Sequence, residues 1–162
     1  IGYKMFGLSK KEKTGHSIKL AMDGILNQSH FSGEECQNIC SSEEGGAWLY
    51  TEVMIQLTNM LAFVVASKFN QHSWATMEFF FINVNEAINS HSNDPNLFNV
   101  ILNGFQRIQS VDGDGAERIR KMFLDSADEV LKHDKTIDRE EIADFLDEKV
   151  QLFSSQLGTY FG

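Results

Sequence analysis

Two stretches of this 162-residue chain carry carboxylates at spacings that suggest a cation site. In "SVDGDGAERI" Asp112 and Asp114 stand among glycines, and in "TIDREEI" Asp138 precedes Glu141 by three, with Asp134 close by. A calcium loop of the EF-hand kind needs oxygen ligands at its positions 1, 3 and 5, glycine at 6 and a glutamate at 12, because the ion takes about six to eight oxygens. Counted from Asp112, the fifth residue is Ala116, the sixth Glu117 and the twelfth Phe123; with Glu141 as the twelfth, the first is Val130. Neither loop supplies the ligands. Both read as helix starts, an aspartate three residues before a glutamate at the head of an apolar run, where side-chain oxygens meet the free amides of a first turn.

Glu78 is the candidate acid or base. Its helical neighbours at three and four steps are Trp74, Ala75, Phe81 and Ile82, so its carboxylate is expected to leave from an apolar face, where burial raises a carboxyl pKa towards the range of a general acid. Glu52, Gln56 and Asn59, at i, i+4 and i+7, form a polar strip on the preceding helix. Facing Glu78, they would complete a ligand cavity; paired among themselves, they would only fix helix register.

Other chemistries lack their residues. The histidines at 16, 30, 72, 91 and 133 pair with no second histidine or glutamate at metal-binding helical spacing, and His72 and His91 fall in polar connections. Cys36 and Cys40, four apart, match neither a redox CxxC pair nor zinc-ligand spacing, and read as free thiols of a cytoplasmic protein. There is no GxSxG, and "GDGAE" lacks the lysine and the length of a phosphate-cradling loop. No catalytic residue, metal or cofactor is assigned.

These side chains must be positioned by helices. Pro95 is the lone proline, β-branched runs are few, and 42% of residues are apolar, which suits a single all-α domain with a well-buried core. Ser9 with Glu12, and Ser32 with Glu35, make capping-box patterns ahead of the first two helices, the second short and closed by "SSEEGG". Two apolar helices over about 47–69 and 74–90 are expected at the centre, the latter capped by Ser73, and Trp48 and Phe63 are counted among the core residues of the former. Asp94 before Pro95 opens the next helix, and Asp114 and Asp138 open the last two. The total is about seven helices. Residues 1–13 read as a basic N-terminal segment or tag remnant, with Met5 a candidate start. The longest uncharged stretch, "VMIQLTNMLAFVVAS", is short of the roughly 20 apolar residues of a membrane span.

The net charge of −9 is unevenly spread: residues 20–106 hold nine acids and one base, Lys68. Nucleic acid requires clustered cations and is excluded as a partner of that region. An acidic helical surface suits a basic protein partner, and Glu34, Glu35, Glu43 and Glu44, within eleven residues free of Lys and Arg, are its expected contact. The expected function is a non-catalytic protein-binding module, as an inhibitor, an immunity protein or a regulatory adaptor is. The alternative is a small-ligand-binding or catalytic bundle centred on a buried Glu78, with Glu52, Gln56 and Asn59.

Overall fold

A computed structural model describes residues 10–69 and 74–161. Ser9, His72 and Ser73 lie outside the described residues. Among those described there are seven α-helices, one 3-10 turn at Ser29–Phe31, and no strand. The helices are α1 (Lys10–Asn27), α2 (Gly33–Ile39), α3 (Glu43–Phe69), α4 (Trp74–His91), α5 (Leu97–Gln109), α6 (Gly115–Leu131) and α7 (Arg139–Phe161). The all-α bundle expected from helical periodicity is the observed fold.

The centre is α3, which touches all six other helices. Residues 52–58 are buried without interruption, so this stretch has no solvent face, even though it carries Glu52, Gln56 and Thr58. It is long and apolar enough to cross a bilayer, but 67% of its most apolar stretch is buried inside the fold. At Gly104 α5 comes so close that an added Cβ would overlap the Ile55 side chain. In contrast, α4 lies mainly on α1 and one side of α3, with little contact to α5. Among the described residues, no helix lies over its remaining apolar side.

Local signals differ from the sequence reading at three helix starts. Helix α3 begins at Glu43 rather than Ala47, with Gly45 and Gly46 buried inside its first turns. The glycines do not turn the chain; they admit neighbours. A Cβ on Gly45 would sit 2.6 Å from the Asp134 Cβ, and one on Gly46 would overlap Gln37. Ser32 is at the start of α2, but its hydroxyl donates back to the Ser29 carbonyl at 2.7 Å instead of accepting from the helix. Asp114 precedes α6 without any side-chain cap bond, between Gly113 and Gly115, both at positive φ. Asp138 does accept, from the Glu140 amide at 3.2 Å.

Candidate functional site

The polar strip of α3 exists, but faces α5 and α6 rather than Glu78. Glu52, 1% exposed, receives two donor groups of Arg107, and Arg107 Nε donates to Asp125 at 2.7 Å. Gln56 Nε2 donates to Ser126 Oγ at 2.8 Å and to the Met122 carbonyl at 3.2 Å. Asn59 accepts from Gln109 Nε2. Burial pushes the Glu52 carboxyl up, opposed by the hydrogen bonds and charge of Arg107. The most deeply buried carboxylate among the described residues is thus Glu52, and it is already paired.

Glu78 is exposed, which corrects the expectation of a buried acid. Its helix packs mainly on α1 and α3, and Met77, Phe81 and Ile82 beside Glu78 line an open groove instead of a sealed interior. This groove, about 850 Å³, runs between α3, α4 and α5. Its floor is aromatic: Phe81 meets Phe105 edge-on at 5.0 Å and Phe98 at 6.2 Å. Phe63 from α3 and Ile82 from α4 stand at its rim, 65% and 52% exposed. Of the expected quartet, only Asn59 and Glu78 reach it. At one end lies Arg118, whose guanidinium donates to the carbonyls of Val111 (2.9 Å) and Ile108 (3.4 Å) and to Met122 Sδ (3.2 Å), fastening the α5–α6 loop.

The four glutamates assigned to a partner are not equally available. Glu34 and Glu43 are exposed. Glu35 pairs with the buried Lys149 of α7 at 3.5 Å, and Glu44 with His133 Nδ1 at 2.9 Å. That histidine also stacks on Trp48, with ring centroids 4.2 Å apart, which leaves Trp48 on the surface rather than in the core. Lys149 thus brings to Glu35, through the fold, a counter-charge absent from the neighbouring sequence.

Asp134, beside the second calcium-like stretch, holds the start of α3. It accepts from the Ser41 amide at 2.8 Å, the Ser41 hydroxyl at 2.5 Å and the Ser42 amide at 3.1 Å. The Ser41 hydroxyl bond is the chief cause that brings its carboxyl pKa down to about 2. Asp112 and Asp114 are exposed, and among the described residues no three His, Cys, Asp or Glu side chains are grouped to hold a metal. Cys36 and Cys40 are free thiols, and burial pushes them up to about 12 and 11 respectively, far from the reactive thiolate.

Comparisons with family models, curated proteins and solved structures give no match to this chain.

Sequence reasoning missed Arg107, Phe63, Ile82 and the phenylalanines of α5 as functional candidates. Periodicity assigns the apolar ones to an interior, whereas only packing shows that α4 makes little contact with α5.

Proposed function

We propose that this chain is a non-catalytic protein-binding module that engages a basic partner through the groove between α3, α4 and α5. The observation that carries this reading is the uncovered Phe63–Ile82 rim above an aromatic floor. Scattered exposed apolar residues need no explanation, but a contiguous apolar groove marks an interaction site. The charge of −9, with one base in residues 20–106, selects for a positive partner and speeds its approach. Glu43, about 30 Å along α3 from Phe63 by helix rise, and Glu34 on α2 act in steering rather than in the docked contact. Such a module serves as an inhibitor, an immunity protein or a regulatory adaptor.

The alternative, a small-ligand-binding or catalytic bundle centred on a buried Glu78, is less well supported, because Glu78 is exposed. The test is photo-crosslinking from benzoylphenylalanine placed at Phe63, with Gln151 of α7 as control position. The expected adduct forms from position 63 alone, lies in a basic stretch of one protein, and weakens as salt rises. Equal labelling from both positions, or an acidic crosslinked stretch, overturns the proposal.

A further inference from the structure

We infer that the occupant of the groove is a single amphipathic, cationic α-helix of about three turns, supplied by another protein. This rests on the reading of the groove as a docking site and adds the form of what docks there.

The three walls are themselves helical stripes. Phe63 and Ala66 follow Asn59 at i+4 and i+7 on α3; Ile82 and Asn85 follow Glu78 at the same steps on α4; Leu102 and Phe105 follow Phe98 on α5, and the stripe ends at Gln109. Rows at this spacing form ridges and furrows into which the side chains of another helix interdigitate. The α5 stripe spans twelve residues from Phe98 to Gln109, roughly 16 Å at about 1.5 Å per step, the length of about three helical turns. A helix docked there presents its own apolar residues at i, i+4 and i+7 to Phe63, Ile82 and Leu102. It stands where a further helix of the bundle would pack, beside the uncovered side of α4.

Charge decides between candidate occupants. Among the described residues, Glu78 is the only carboxylate of the groove lining and Arg118 its only cation, and Arg118 is occupied by the carbonyls of Ile108 and Val111. A cation on the docked helix therefore has Glu78 as its partner. A second copy of this chain is disfavoured, because two molecules of charge −9 repel. An anionic amphiphile would meet Glu78 unfavourably, which leaves a basic amphipathic helix as the class that satisfies both groove and charge.

Isothermal titration calorimetry with four probes tests this. They are a 14-residue helix of leucine and lysine with leucine at i, i+4 and i+7, a scramble of the same composition, the leucine–glutamate counterpart, and dodecyltrimethylammonium. The expected result is saturable 1:1 binding of the leucine–lysine helix with a negative heat-capacity change, at least about tenfold weaker binding of the scramble, and none of the acidic helix. Phe63→Glu weakens the leucine–lysine helix by about tenfold or more, the factor expected from losing a buried aromatic contact. Phe63→Leu stays within about threefold of the native chain, and a melting curve for each variant confirms that the fold persists. Glu78→Lys weakens binding more at low than at high salt. If the scramble binds as well as the helix, the helical inference falls while the basic-partner reading stands. If the acidic helix binds equally, the basic-partner reading itself falls. If only dodecyltrimethylammonium binds, the groove is a small-amphiphile site and the inference is overturned.

Discussion

Asp134 and Ser41, 93 residues apart in sequence, form a cap in which one carboxylate takes both the backbone amide and the hydroxyl of the serine, at 2.8 and 2.5 Å. The Ser42 amide adds a third donor at 3.1 Å, and Gly45 provides the space for Asp134 to approach. The start of the central helix is thus anchored by the loop that follows α6.

Replacing Asp134 by asparagine should lower the melting temperature at neutral pH, because an uncharged amide is a poorer acceptor for three donors. The folded pKa is depressed, from an ordinary 3.8 to about 2, so the stability it contributes is present above the ordinary value and lost as pH falls through about 2. Thermal melts between pH 5 and pH 2 should show a steeper decline for the native chain than for Asp134→Asn. Parallel declines would show that the cap is not formed.

Arg107→Leu should cost about 3 kcal/mol, since it leaves Glu52 buried without its partner. The cost should grow from pH 5 to pH 8. Burial already raises the Glu52 pKa; a raised carboxyl contributes fully below its unfolded value and loses that contribution as pH rises through the folded one. Without Arg107 the folded pKa climbs further. Urea unfolding at both pH values measures this, and adding Glu52→Gln to Arg107→Leu should remove most of the pH dependence.

Gly104→Ala should destabilise by about 1–3 kcal/mol, as overpacking does, because its methyl would overlap Ile55. Shortening Ile55 to alanine in the same chain should recover part of the loss. A double-mutant cycle reads the coupling, and strictly additive losses would place the strain elsewhere.

Reversing Glu43 and Glu44 to lysine should lower stability by about 1 kcal/mol. Both lie in the first turn of α3, where negative charge opposes the helix dipole, and Glu44 also pairs with His133. The melting temperature of the reversed variant checks it. The sequence alone, with these residues placed in a connection, suggests no change.

What the sequence by itself determined is the class of fold and the distribution of charge. Apolar residues at three- and four-step spacing, such as Ile18, Met22 and Ile25 in α1, bury one face of a helix whatever lies opposite. The acidity of residues 20–106 follows from composition alone. The failures of both calcium-like loops were also legible, because a missing ligand type cannot be supplied by folding. Partnership belongs to the tertiary structure. Glu52 and Glu78 read alike, carboxylates on apolar helices, yet Arg107 arrives beside one and solvent beside the other. Glycines 45 and 46 look like a turn until Asp134 and Gln37 are packed over them. Phe63 has the residue type of a core position and is exposed, because burial depends on which helices pack together across long separations in sequence. The same cause leaves the side of α4 towards α5 open and makes a groove from residues that periodicity assigns to the interior.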